Sequence, residues 1–254
     1  MDQRSIAQQY ATPANLAARI ALHERCSTNA YGLQRWIFDR LNLAAGQRVL
    51  EVGCGSGSLW IENRDRMPPL TLVLTDFSIG MVEAARRNVA ATFASCALPE
   101  LPFAGGTFDV VIANHVLYHV AGRERAFAEI RRVLVRGGLL FAATNGEGHL
   151  REIKELMREA GIDAGDVSSG FTLENGEAQL RPGFESVERA EYHDGLRVTD
   201  PNLILAYIAS MSPRASEVVA SRNAEMRAAI EARIARDGAF YVAKSTGAFT
   251  ARSA

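Results

Sequence analysis

Residues Val49 to Gly57 (VLEVGCGSG) carry the densest chemical signal in the chain. An apolar strand runs into a turn with glycine at every second position, and a helix-compatible segment follows. Glycine permits positive φ and lets a small molecule lie against backbone, so a Cβ at Gly53, Gly55 or Gly57 is expected to block a ligand's approach. A tight strand-to-helix turn with no ligand would use the same residues. Against it stand Glu51, just before the glycines, and Asp76, which ends the next apolar run about twenty residues on, where a ribose-binding acid is expected. A carboxylate at a strand end can accept both hydrogen bonds of a vicinal diol, and the N–H groups of a helix start suit a ligand carboxylate.

A second polar group follows the fourth apolar run. His115 and His119 stand four apart with Tyr118 between them (NHVLYHV). If that stretch begins helically, both imidazoles face one side, and histidine is the natural general base near neutral pH. The plainer alternative is that His119 satisfies a neighbouring backbone group and His115 shapes a wall. Two histidines without a matching carboxylate do not predict a metal site. Asn145 and His149 (TNGEGH) form another polar cluster, read either as substrate contacts or as loop and helix caps. Nearer the N-terminus, Tyr31, Arg35 and Trp36 could line an acceptor pocket or simply pack. Arg19, His23 and Arg25 lie on a segment that could reach a ligand carboxylate or stay solvated.

The elements that must position these groups alternate regularly. Apolar spacing predicts two helices within Asn15–Leu41, separated by good N-cap types at Ser27, Thr28 and Asn29. Strands follow at Arg48–Val52, Leu70–Thr75, Thr92–Ser95, Phe108–Asn114 and Leu139–Thr144. Between them lie helices at Leu59–Arg66, at Ser78–Ala90 with an N-cap serine, and at Arg123–Leu134, ended by Gly137 and Gly138. Five alternations argue for a parallel sheet covered on both faces, with ligands at the carboxyl ends of its strands. Beyond Asn145 the spacing predicts helices at His149–Ala160, Thr172–Arg181, Asp200–Met211 and Pro213–Arg236, and strands at Phe184–His193 and Ala239–Ser245.

The chain of 254 residues is 48% hydrophobic, enough for one substantial core and too short for two full-sized domains with linkers. A formal charge of -1 gives no overall attraction to nucleic acid or anionic membrane. Cys26, Cys54 and Cys96 are odd in number and lack metal-ligand spacing, as expected for reduced thiols in a cytoplasmic protein. No signal-like or membrane-spanning run is visible.

Four motifs in order then resemble one family. VLEVGCGSG, LTDFSIGMVEAAR, LPELPFAGGTFDVVIANHVLYHV and RRVLVRGGLLFAATN together look like a class I S-adenosylmethionine (SAM)-dependent methyltransferase of the small-molecule, methyltransferase-11-like type, over roughly residues 46 to 145. Residues 10 to 41 are similar to the N-terminal cap of a bacterial subgroup. The resemblance implies a Rossmann-like, seven-stranded, mostly parallel sheet with helices on both faces. It also implies a helical cap over residues 1–45 and a SAM-binding domain over 46–254. By the same resemblance Gly53, Cys54, Gly55 and Gly57 would line the cofactor above Glu51, and Asp76 would bind the ribose. Phe77 and Met81 would flank the adenine, Asn114 would hold the methionine end through its backbone, and Tyr10 would help close the site from the cap, on which Arg19 could reach the methionine carboxylate. The family usually has an acidic residue before the LPF stretch. Here the segment is Ser95-Cys96-Ala97-Leu98, which leaves adenine to stacking and to backbone contacts at Ala97 and Leu98. A dinucleotide site is the rival, but it wants glycine or alanine where Ser58 stands.

The expected reaction is methyl transfer to a small acceptor in specialised metabolism, with His115, Tyr118, His119 and Asn145 as the candidate catalytic groups and no metal. A second possibility keeps the cofactor and changes the chemistry, to intramolecular displacement giving azetidine-2-carboxylate and methylthioadenosine. A non-catalytic binding module is disfavoured by the intact glycines. Nucleic-acid or protein acceptors are disfavoured because no NPPY-type tetrapeptide follows the fourth strand. A monomer or homodimer is expected.

Overall fold

The computed structural model of the chain describes residues 13–163 and 170–254. In order, the elements are α1 (Pro13–Cys26), α2 (Leu33–Leu41), β1 (Arg48–Val52), α3 (Ser58–Glu62), β2 (Thr71–Asp76), α4 (Ile79–Arg86), β3 (Thr92–Ser95) and β4 (Phe108–Ile112). They continue with α5 (Arg123–Val133), β5 (Leu134–Asn145), α6 (Arg151–Glu159), α7 (Gly176–Leu180), β6 (Ser186–Val198), α8 (Pro201–Ala209), α9 (Pro213–Ser221), α10 (Asn223–Asp237) and β7 (Phe240–Arg252). The seven strands form one sheet in the order β3-β2-β1-β4-β5-β7-β6. Neighbours from β3 to β5 run parallel, and β7 runs antiparallel to β5.

Two units emerge from the contacts within the chain, residues 31–147, 170–192 and 246–254 in one, and residues 13–30, 148–163 and 193–245 in the other. Residues 31–45, expected in the cap, group with the sheet unit. In that unit the central strands are mostly apolar because both of their faces are buried. Val49, Leu72, Val110 and Phe141 pack with Ile37 and Phe38 of α2 and with Leu59 and Trp60 of α3. Leu50, Val73, Val111 and Leu140 point the other way, onto Phe127 and Ile130 of α5 and Leu180 of α7. The second unit has its own core, in which Leu22 and Cys26 of α1 pack with Ile153, Leu156 and Met157 of α6, Ile204 and Ile208 of α8, and Ile230 of α10. Among the described residues no helix is long and apolar enough to cross a membrane.

Four expectations are corrected. The helix expected over Arg123–Leu134 is there and ends at Val133, but Gly137 and Gly138 are not its stop: both lie inside β5, which starts at Leu134 and not at Leu139. They serve a register shift against β4, between the pairs Phe108↔Leu134 and Val110↔Leu139. A Cβ on Gly138 would sit 2.8 Å from the Val135 carbonyl oxygen. The single helix expected over Pro213–Arg236 is two. Ser221 Oγ donates back to the carbonyls of Glu217 and Val218, and the turn breaks at Arg222. The last strand, expected to end at Ser245, runs on to Arg252 through Gly247, whose Cβ would fall 2.3 Å from the Ala190 carbonyl oxygen.

The fourth correction concerns Ser27, Thr28 and Asn29. The N-cap of α2 is Gly32, without a side-chain cap bond. The earlier three residues instead surround Asp194, whose carboxylate accepts from Ser27 Oγ at 2.8 and 2.9 Å, Thr28 N at 3.1 Å and Asn29 N at 3.0 Å. Lys244, one of only two lysines in the sequence, donates to the same carboxylate. The two side chains are 7% and 0% exposed. Burial alone would raise the Asp194 pKa, but Lys244 and Ser27 outweigh it and hold the carboxyl below its usual range. Removing one partner of such a pair strands the other charge. Asp194→Ala is expected to lower stability by about 3–5 kcal/mol in urea unfolding, and Asp194→Leu combined with Lys244→Met is expected to cost less than the single change.

Candidate functional site

Every described group of the candidate site other than Arg19 belongs to the sheet unit, at or just beyond the carboxyl ends of β1 to β5. The turn after β1 is fastened to β2. The Thr75 carbonyl accepts from both Gly53 N (2.8 Å) and Cys54 N (2.9 Å). One residue further, Asp76 Oδ2 accepts from Gly55 N at 3.0 Å and its Oδ1 from Ser78 N at 2.9 Å. Each oxygen is thus anchored by one backbone N–H and keeps acceptor capacity for a second donor. Asp76 is nearly buried, and burial raises its pKa although the two backbone bonds oppose it. Ser78 also caps α4, its Oγ accepting from Met81 N at 3.4 Å.

The three glycines divide by what faces them. All have positive φ, at 73°, 55° and 83°. A Cβ on Gly53 would meet Val116 Cγ2 at 2.9 Å, and one on Gly57 would meet Val89 Cγ2 at 2.9 Å. Nothing lies within 4 Å of a Cβ on Gly55. The expectation that all three keep space for a ligand therefore holds in space for Gly55 alone, and the outer two are needed for internal packing.

Beneath the turn, Glu51 is 3% exposed. Its Oε2 accepts from the Trp60 indole Nε1 at 2.6 Å, and its Oε1 accepts from Asn114 Nδ2 at 3.2 Å. Burial pushes its pKa up to about 7, against the two hydrogen bonds and with help from nearby Asp76. Asn114 Oδ1 is buried and takes no hydrogen bond among the described residues. Cys54, also buried, has its thiol pKa raised well above the usual range, by burial first and then by Glu51 and Asp76, which makes it inert as a nucleophile.

Around Asp76 the surface turns apolar. Phe77 and Ile79 are 45% and 66% exposed, and Met81 is half-buried. Leu98 turns its side chain into the core, and Ala97 is half-buried. Cys96 N donates to the Asp76 carbonyl at 3.2 Å and ties this segment to β2.

The histidine segment departs from expectation. It is a three-residue 3-10 turn, Leu117–His119, and His115 precedes it in the left-handed region at φ 53°. The i, i+4 face of an α-helix therefore does not exist here. His115 N donates to the Ala143 carbonyl at 2.9 Å, which keeps the chain on the sheet beyond β4. The side chains still gather around Tyr118, whose ring centroid lies 4.4 Å from that of His119 and 6.4 Å from that of His115.

Other expected residues are engaged elsewhere. Asn145 Oδ1 accepts from Thr246 Oγ1 at 3.0 Å and the Asn145 carbonyl from Leu173 N at 3.2 Å, so it fastens the sheet end. Trp36 packs edge-on against Tyr192 and lies under Arg40, and Tyr31 hydrogen-bonds Asp39. In the helical unit His149 stacks on His23, with ring centroids 6.3 Å apart, and Arg19 donates to the Ser210 hydroxyl and carbonyl. Tyr10 lies outside the described residues. Among the described residues no group of three His, Cys, Asp or Glu is placed to hold a metal. Sequence reasoning missed Trp60, Val116 and Thr75. An indole one turn beyond a glycine turn that starts from an acid was the available signal for Trp60.

As chemistry, the arrangement is an open backbone face at Gly55 flanked by a carboxylate with acceptor capacity left on both oxygens, an exposed aromatic ring and an amide oxygen that takes no hydrogen bond among the described residues. A nucleoside with a polar tail fits it. The known proteins similar to this chain point the same way. A family model described as a methyltransferase domain, Methyltransf_11, matches residues 50–142. The malonyl-[acyl-carrier protein] O-methyltransferase of Geobacter sulfurreducens is 35% identical over 161 residues, covering 58% of this chain and 60% of that protein. The demethylmenaquinone methyltransferase of Renibacterium salmoninarum is 35% identical over 111 residues, covering 43% and 46%. This chain thus spans between 44% and 60% of the length of the first curated relatives it matches. Among solved structures, a SAM-dependent methyltransferase of Thermotoga maritima, described as a possible histamine N-methyltransferase, superposes with a TM-score of 0.57 at 16% identity, covering 98% and 99% of the two chains. At that identity the likeness is one of fold.

Two outcomes follow from the geometry. Gly55→Ala meets no protein atom and is expected to cost only about 1–2 kcal/mol for the left-handed backbone, while weakening nucleoside binding measured by calorimetry; Gly57→Ala, which meets Val89, is expected to lose more stability. For Glu51, the folded pKa lies above the unfolded value of 4.5. The folded state then holds a proton that the unfolded state releases between those two values, so stability falls as pH rises through this window. Urea unfolding at pH 5 and pH 8 is expected to show the native protein losing about 3 kcal/mol more than Glu51→Gln across that interval.

Proposed function

We propose that this protein transfers a methyl group from SAM to a small-molecule acceptor, a reading supported by the match of residues 50–142 to a methyltransferase domain. The cofactor supplies an electrophilic methyl on a sulfonium sulfur; the chain's residues bind, orient and exclude water. Asp76, with both oxygens held by backbone N–H groups, accepts the ribose hydroxyls. Phe77 offers its exposed ring to the adenine, with the backbone of Ala97 and Leu98 at its edge. Gly55 leaves room for the nucleoside to lie on the turn. Transfer requires an acceptor atom held in line with the methyl. Where the acceptor arrives protonated, the imidazoles flanking Tyr118 are the groups to take its proton. The reaction balances as acceptor–H plus SAM giving methylated acceptor, S-adenosylhomocysteine and a proton.

The names of the relatives refer to malonyl-[acyl-carrier protein] and to demethylmenaquinone, two different acceptors. They support a metabolite or acyl acceptor without choosing between the two. A setting in specialised metabolism is part of this reading and rests on the sequence resemblance.

The observation that carries the reading is the doubly anchored Asp76 beside the open face of Gly55. Calorimetry with SAM and S-adenosylhomocysteine is expected to show binding by the native protein and a loss of at least about tenfold in Asp76→Ala, equal to one charge-assisted hydrogen bond or more. Absence of binding by the native protein, or equal affinity in the variant, overturns it. Incubation with SAM alone is expected to leave the cofactor intact by mass spectrometry. Methylthioadenosine formed without an acceptor would replace methyl transfer with intramolecular displacement.

A further inference from the structure

The hydrogen bond from Trp60 to Glu51 has no part in the reading above, yet it sets the orientation of the residue next to the site. Trp60 is 1% exposed on α3, and its single donor, the indole N–H, is spent on Glu51 Oε2 at 2.6 Å. That bond fixes which carboxylate oxygen is left for the residue after β4. Oε1 takes the Asn114 amide through Nδ2 at 3.2 Å. A side-chain amide has a donor end and an acceptor end. Once Nδ2 faces an acceptor, Oδ1 must face the other way. It does so while buried and without a donor among the described residues. Native proteins rarely leave a buried carbonyl in that state without a ligand or water to complete it.

We propose that Trp60 is a positioning residue for the amino-acid end of the cofactor: through Glu51 it holds Asn114 so that Oδ1 accepts from the ligand's α-ammonium. This rests on the SAM-binding reading above and adds a side-chain acceptor to the backbone contact expected of Asn114. The ligand chemistry is specific. An adenosine thioether with an α-amino acid tail carries the ammonium, and 5′-methylthioadenosine has the same nucleoside without it. Indole is well suited to the task because it donates but cannot accept, so Glu51 cannot turn away and reverse the polarity of the chain of bonds.

The experiment measures affinities for S-adenosylhomocysteine and for 5′-methylthioadenosine by calorimetry in the native protein, Trp60→Phe and Asn114→Leu. Trp60→Phe keeps an aromatic ring in the core and removes the N–H. It is expected to weaken S-adenosylhomocysteine about tenfold, the worth of one hydrogen bond to a charged group, and to leave methylthioadenosine unchanged. Asn114→Leu, in a half-buried position that does not depend on the Trp60 packing, is expected to do the same, and the double variant to lose no more than either single one. Glu51→Gln, whose amide can donate to Asn114 Oδ1 and occupy it, is expected to match Trp60→Phe. A merely structural Trp60 would lower both affinities alike or neither, and either pattern overturns the proposal while leaving the cofactor reading standing. A native protein that binds neither ligand overturns that reading and this proposal with it.

Discussion

Two acceptors on consecutive residues, the Thr75 carbonyl and the Asp76 carboxylate, hold the glycine turn in place, and the rest of the site depends on them. Between them they take the N–H groups of Gly53, Cys54 and Gly55. A turn with three positive-φ glycines loses much chain entropy on ordering, and these bonds tie it to the end of a buried parallel strand instead of leaving it to solvent. The same arrangement places Asp76 at the rim with both oxygens oriented and acceptor capacity left over. The parallel register that sets Glu51 opposite Leu74, and Val52 opposite Thr75, is what brings the two strand ends level. A slip of one residue would turn the acids to the other face of the sheet.

Much of this was legible from the residues. The apolar runs of β1, β2 and β4 and the N-cap at Ser78 follow directly from patterning, and β1 and β3 were predicted to the residue. Asp76 stands at the end of β2, where the spacing asks for an acid, and a seven-stranded, mostly parallel sheet was expected from the motif series. What failed did so because glycine and polar residues have several uses. Gly137 and Gly138 resemble a helix stop in a one-dimensional reading, yet both lie inside β5 at its register shift, and Gly247 sits in β7 where an added Cβ would meet the Ala190 carbonyl far along the chain. Ser27, Thr28 and Asn29 have cap chemistry but spend it on Asp194, more than a hundred and sixty residues away.

The candidate site shows the same division. The acids and the open glycine could be found from type and spacing. The contact of Gly53 with Val116, and of Trp60 with Glu51, could not, since each joins elements whose packing no local pattern describes. The histidine segment fails for a different reason. Helical spacing puts His115 and His119 on one face, but pairing of His115 N with Ala143 keeps the chain in the sheet past β4 and forces a left-handed residue before the turn. Tertiary hydrogen bonding overrides local propensity, and the two rings meet around Tyr118 by another route.

The electrostatics of the turn give the architecture its direction. Glu51 and Asp76 are both buried carboxyls with raised pKa values, so burial outweighs the hydrogen bonds each receives. Hydrogen bonds from neutral indole, amide and backbone donors orient such groups but do not neutralise them. A site of this kind is better completed by a cation than by a neutral ligand, because an added positive charge favours the ionised form that burial opposes. On the reading proposed above, the ligand's ammonium brings such a charge to Asn114, one hydrogen bond away from Glu51.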